Sequence, residues 1–103
     1  MEQDGQTGKE DSTSPAITLV SEGIEKLKAD LIDYAEWKFE EAVNLDPNYG
    51  PAYYWLARVK YRLENMEQSL ELLKKAESLL KGSESWAERI GEFRDYLMGQ
   101  QEF

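Results

Sequence analysis

From Pro15 onward the apolar positions recur every three or four residues almost without a break. Ile17, Val20, Ile24, Leu27 and Leu31 form one stripe, and Leu31, Ala35, Phe39 and Ala42 form a second. A third runs Ala52, Leu56, Val59 and Leu63, a fourth Met66, Leu70, Leu73, Ala76 and Leu80, and a fifth Trp86, Ile90, Phe93 and Leu97. Steps of three and four set each group along one side of a helix, and no segment shows the alternation of a half-buried strand. The boundaries carry their own signals. Ser14 before Pro15 places a cap ahead of a proline at the first helical position. Asp30 marks a tight turn. Asp46-Pro47-Asn48 stops the second helix, because proline disfavours helical backbone at Asp46 and Asn suits turns. The third helix starts at Pro51, and Glu64-Asn65 separates it from the fourth. Gly82 reads as a C-terminal cap. The fifth helix opens with Ser83 or Ser85 and ends at Gly99. The pattern predicts an all-α chain of five helices of roughly 12–16 residues, with turns short enough to make neighbours antiparallel.

Ahead of this pattern, residues Met1 to Ser14 carry no apolar side chain after Met1. They hold four acids against one Lys, together with Gly, Ser and Thr. Such a stretch buries too little to offset its ordering entropy and reads as a disordered polar leader. It has no apolar core of a signal peptide, although a start placed after a removed anchor signal would look the same. The expected organisation is a leader over 1–14, a helical domain over 15–99 and a flexible tail over 100–103.

Composition narrows the function. The 103 residues contain no His and no Cys, with 12 Lys plus Arg against 21 Asp plus Glu, for a net charge of −9. Imidazole-based nucleophilic mechanisms and Cys/His zinc sites are therefore impossible. Clustered positive charge for nucleic acid or anionic membranes is missing, and no apolar run approaches the 18 or so residues of a membrane span. Glu40-Glu41, Glu64 with Glu67, and Glu84 with Glu88 lack calcium-loop spacing and read as solvated helix faces. No Gly-rich phosphate loop occurs. No catalytic, cofactor-binding or metal-ligating residue is expected.

The segment Tyr34 to Asn48 pairs a small residue with an aromatic four later, Ala three after that, and then Leu45-Asp46-Pro47. Ala35, Phe39, Ala42 and Pro47 in this order resemble the second helix and closing turn of a tetratricopeptide repeat. Moving on 34 residues reaches Ser69, Leu73, Ala76 and Lys81, which keep the small–large–small order and lose the proline. Tyr53, Leu56 and Ala57 stand where that family places Trp, Leu and a small residue, and Tyr61 lies one place past its usual Tyr. The first helix matches less well: Gly23 takes the small position, Glu22 stands in place of a Leu, and Ala29-Asp30-Leu31 matches the turn with one residue inserted. Glu64 replaces the usual turn Gly, at a cost of about 1 kcal/mol if positive φ is required there. The resemblance implies two repeats, 15–47 and 48–82, plus a closing helix over 83–98 anchored by Trp86 and Phe93, wound as a right-handed superhelix. The chain is also similar to small bacterial repeat proteins of the cell envelope, although it has no lipid-anchor cysteine; envelope and cytoplasm both stay open.

In the resembling family, extended peptides or partner helices bind a concave groove lined by the first helix of each repeat. The corresponding residues here are Tyr54, Arg58, Tyr61 and Arg62. Independently of the family, these four share one helix face, off the apolar stripe of the same helix. Tyr and Arg are the types most enriched in binding hot spots, and in this acidic chain they make a local basic island suited to an acidic or carboxylate-bearing partner. The competing reading packs both Tyr against adjacent helices and pairs both Arg with nearby acids. The family's Lys/Asn carboxylate clamp does not carry over, because Val20 and Ile24 occupy its places in repeat one. Trp37, off the apolar stripe, reads as a core residue in so thin a domain; exposed beside Tyr34 or Tyr49 it would mark an interface. The functional expectation is a non-enzymatic protein-interaction scaffold with a protein or peptide partner. The alternative is a structural role, as a solenoid that self-associates into a homo-oligomer or as a subunit of a longer assembly.

Overall fold

Five helices and no strand make up the described residues of the computed structural model, Ser14 to Gln100. Residues 1–13 of the expected leader and 101–103 of the expected tail lie outside that range, whereas Ser14 caps the first helix and Gln100 ends the last. In chain order the helices are α1 (Pro15–Lys28), α2 (Ile32–Leu45), α3 (Gly50–Arg62), α4 (Met66–Leu80) and α5 (Glu84–Gln100). Side-chain caps start three of them. The Ser14 hydroxyl accepts the Ile17 amide at 3.4 Å, the Asn65 carbonyl oxygen accepts that of Gln68 at 3.2 Å, and the Ser83 hydroxyl accepts that of Trp86 at 3.3 Å. Beyond α2, the Asp46 carboxylate accepts the Asn48 amide at 3.1 Å and the Tyr53 hydroxyl donates to the Pro47 carbonyl at 2.8 Å, which holds the turn into α3.

The turns inside the two hairpins are copies of each other. After α1, the Asp30 amide donates to the Leu27 carbonyl and that of Leu31 to Lys26; after α3, Glu64 donates to Tyr61 and Asn65 to Lys60. This is the paired closure of a helix by a left-handed residue. Asp30 (φ 65°) and Glu64 (φ 64°) are the left-handed residues, each without the freedom of glycine. They stand 34 residues apart, so the two turns are in register with no inserted residue between them.

Burial repeats at the same interval. Ala35, Phe39 and Ala42 of α2 are fully enclosed, and so are Ser69, Leu73 and Ala76 of α4. Close approach explains the small residues. A Cβ on Gly23 would lie 2.5 Å from the Phe39 ring, so α1 seats on α2 only with glycine there. Ala57 takes the equivalent place on α3, where its carbonyl accepts the buried Ser69 hydroxyl at 2.7 Å. Hairpin α1–α2 packs on hairpin α3–α4 through α2 and α3, and α5 closes the far side against α4. Lys60 reinforces the joint between hairpins by reaching Glu36 and Glu40 of α2. Burial disfavours its ammonium, but the hydrogen bonds and charge of the two carboxylates outweigh that and hold its pKa above the usual lysine value.

Two ends differ from the expectation. Gly82 has no positive φ, and the chain leaves α4 through Lys81 in right-handed backbone. Helix α5 passes through Gly99 to Gln100, because a helical glycine costs only about 1 kcal/mol relative to Ala and need not end a helix. The most enclosed anchors of α5 are Ile90 and Leu97, with Phe93 beside them and Trp86 only half-buried.

The strained turn gives a direct check. Glu64→Gly removes the left-handed penalty and is expected to stabilise the domain by about 1 kcal/mol, raising the melting temperature by roughly 4–8 °C. Thermal unfolding followed by circular dichroism measures this; an unchanged or lower melting temperature contradicts the strain.

Candidate functional site

Short turns send the chain back and forth, so α1, α3 and α5 share one side of the stack. A cavity of about 590 Å³ opens between them. Leu27 of α1 lines it, with Tyr54, Trp55, Arg58, Tyr61 and Arg62 of α3 and Arg89, Glu92, Phe93 and Tyr96 of α5. All four residues singled out from the α3 spacing therefore meet in one groove, in four different environments.

Tyr54 is floor rather than surface, only 3% exposed. Its ring meets Trp55, Trp86 and Phe93 edge-on, with centroids 5.3, 5.2 and 6.1 Å away. Such edge contacts favour the partly positive rim of one ring against the negative face of another. Tyr61 packs edge-on against Phe93 and Tyr96, and the Tyr61 and Tyr96 hydroxyls lie 2.9 Å apart. That hydrogen bond, followed by desolvation, pushes the Tyr61 pKa above the ordinary phenol value. Arg62 donates to the Asp30 carboxylate at 2.6 Å, tying α3 to the turn after α1. To this extent the packing reading holds: both tyrosines lean on α5 and one arginine is paired.

Arg58 behaves differently. It donates to the Tyr54 hydroxyl at 3.0 Å and lies 5.0 Å from the Phe93 ring centre. Arg89 of α5 approaches from the other helix, 4.8 Å from the Trp86 centre. Both guanidiniums also sit over the same two rings, Arg58 at 5.7 and 5.8 Å from Tyr54 and Trp55, Arg89 at 5.4 and 5.5 Å. Among the described residues, no carboxylate lies within ion-pair distance of either. The arrangement can stack on a flat or apolar group and donate charge-assisted hydrogen bonds to an anion.

The sequence reading took Phe93 for an anchor of the closing helix and Trp55 for core packing, and it assigned neither of these, nor Arg89 and Tyr96, to the groove they line. A signal existed: Arg89, Phe93 and Tyr96 step by four and three, as Tyr54, Arg58 and Tyr61 do, so each trio shares a helix face. The expectation for Trp37 is overturned. Trp37 is 51% exposed on α2, edge-on to the half-exposed Tyr34 at 6.2 Å. The reason is that Trp37 stands off the face of α2 that carries the buried Ala35, Phe39 and Ala42; the ring that packs on Phe39 is Trp55 of α3, stacked at 6.4 Å. Trp37 is left on the outer side, where Lys38 covers it at 5.1 Å.

No protein-family model matches this chain, and no curated protein matches it. No helix among the described residues is long and apolar enough to cross a membrane.

Trp55 and Trp37 should separate cleanly in stability. Trp55→Ala opens the joint between the two hairpins and is expected to cost about 3 kcal/mol or more, whereas Trp37→Ala costs about 0.5 kcal/mol or less. Urea unfolding of the two variants reads both values, and equal losses contradict the placement.

Proposed function

We propose that this chain is a non-enzymatic interaction module of tetratricopeptide type that holds a peptide or partner helix in the groove between α1, α3 and α5. The observation that carries the reading is the concentration of aromatic and Arg side chains in that one groove of a chain with net charge −9. Binding energy at interfaces concentrates in such residues. The groove is also held in shape before any partner arrives, by the Tyr54 ring contacts, the Tyr61–Tyr96 hydrogen bond and the Arg62–Asp30 pair. A pre-formed groove loses little ordering entropy on binding. The repeat of turn geometry and burial at 34 residues supports the family resemblance, which associates such grooves with extended peptides. The absence of His and Cys from the chain supports a role without chemistry.

A second reading, self-association into a structural assembly, is favoured by the exposed Tyr34–Trp37 pair on the opposite side of α2. A melting temperature that rises with protein concentration marks that reading, and one independent of concentration marks the first.

The groove is tested by selecting a displayed random-peptide library on the full chain. Selected peptides are expected to bind Arg58→Gln/Arg89→Gln at least about tenfold more weakly than the parent, as lost charge-assisted hydrogen bonds imply. A library that yields no binder, or binders insensitive to the double variant while its melting curve is unchanged, overturns the proposal.

A further inference from the structure

We propose that the outward face of α2 around Trp37 is a second interaction surface, one that docks a basic, arginine-bearing segment of a protein partner. It lies across α2 from the buried face and does not depend on the groove reading. Tyr34 and Trp37 are half-exposed and edge-on to each other, and Leu45, further along α2, is more exposed still. Neighbouring large apolar side chains left open on one helix mark an interaction site, whereas single scattered ones need no explanation.

The charges around the rings say what covers them. Helix α2 carries four acids, Asp33, Glu36, Glu40 and Glu41, against one Lys. Lys60 takes up Glu36 and Glu40, and Lys38 bonds Glu22 of α1 at 2.9 Å. Asp33 and Glu41 are exposed and, among the described residues, have no ion-pair partner. They stand four residues before and four after Trp37, so both flank its ring on the same side of the helix. The rings already accept ammonium groups of this chain, Lys26 over Tyr34 at 4.5 Å and Lys38 over Trp37 at 5.1 Å. Lys26 belongs to α1 and Glu22 holds Lys38 toward it, which leaves Asp33 and Glu41 unanswered. A guanidinium can lie flat on an indole while its N–H groups reach a carboxylate alongside, a geometry an ammonium does not match. A second copy of this chain is the rival occupant, and charge tells against it. Two copies of α2 crossing antiparallel at Trp37 would bring Asp33 of one toward Glu41 of the other, and crossing parallel would set each acid against itself. Either way like charges face each other, in chains of net charge −9. A basic segment meets both acids with the opposite sign.

The probe is acetyl-Arg-Ala-Leu-Arg-Ala-Leu-Arg-amide, set beside the same peptide with Gln or Lys in place of Arg. Each is titrated into the full chain while NMR follows the indole N–H signals of Trp37, Trp55 and Trp86. The Arg peptide is expected to move the Trp37 signal and to leave those of Trp55 and Trp86, which belong to the other side of the stack. The Gln peptide should bind at least about tenfold more weakly, and the Lys peptide should lie between. Trp37→Ala and Asp33→Asn/Glu41→Gln should each weaken the Arg peptide by about threefold or more, read on the amide signals of α2. All three residues are exposed, so both variants are expected to melt close to the parent. The surface is overturned if the Arg peptide leaves the Trp37 signal still, moves all three indoles alike, or binds no better than the Gln peptide. Variants that both bind the Arg peptide as the parent does overturn it as well. A Trp37 signal that moves as the concentration of the chain alone is raised, and not with the Arg peptide, puts a second copy on this face and overturns the basic partner.

Discussion

The burial of α3 on two sides at once is the constraint around which the other helices are arranged. Seven of its 13 residues are buried, more than the single stripe an amphipathic surface helix offers to one core. Ala52, Leu56 and Val59 belong to the core shared with α1 and α2, while Tyr53, Tyr54 and Ala57 belong to the one shared with α4 and α5. Trp55 packs against both. A domain this short cannot build one deep centre, since it buries only about 60–65% of its unfolded surface. Using one helix as the wall of two thin cores is a physical answer to that limit. It requires small residues where axes close in, which is why Gly23 and Ala57 occupy equivalent places in the two hairpins.

The same constraint shapes the groove. With two faces of α3 committed to packing, the residues between them, Trp55, Arg58 and Tyr61, are left to look out between α1 and α5. Closing α5 over Tyr54 places Arg89 beside Arg58, so the positive character of the groove follows from how the stack is capped. In the groove Arg58 and Arg89 lean on rings, whereas Arg62 pairs with Asp30, and outside it Lys38 pairs with Glu22 and Lys60 with Glu36 and Glu40. Three arginines and one glutamate line the groove of a chain whose net charge is −9, so the groove and the chain as a whole differ in sign.

Much of the fold was legible because local rules set it. The apolar period and the Asn65 cap place α4 at Met66–Leu80, the span read from its stripe, and Asp46-Pro47-Asn48 stops α2 where expected. Glu64 adopts the positive φ that its place in the repeat called for. The face of α3 was legible for the same reason, since residues three and four apart must share a side. The contribution of α5 was not, because which face of α5 meets α3 depends on a crossing that local spacing does not determine. Trp37 was misplaced by an argument from scarcity: a thin core wants aromatic area, but Trp37 stands off the buried face of α2, and the ring stacked on Phe39 comes from α3 as Trp55. Gly82 and Gly99 show the converse, glycines in open space whose freedom the backbone does not use.

Native-state amide hydrogen exchange of the full chain tests most directly whether α3 is the shared wall. If it is, the amides of α3 exchange only through global unfolding, and the protected amides of α2 and α4 share that same opening free energy because neither hairpin survives without the helix between them. Helix α5 and the ends of α1 exchange more readily. Protection of α1–α2 that persists while α3–α4 opens, or faster exchange in α3 than in the helices on either side, would contradict the shared-wall arrangement and the groove built upon it.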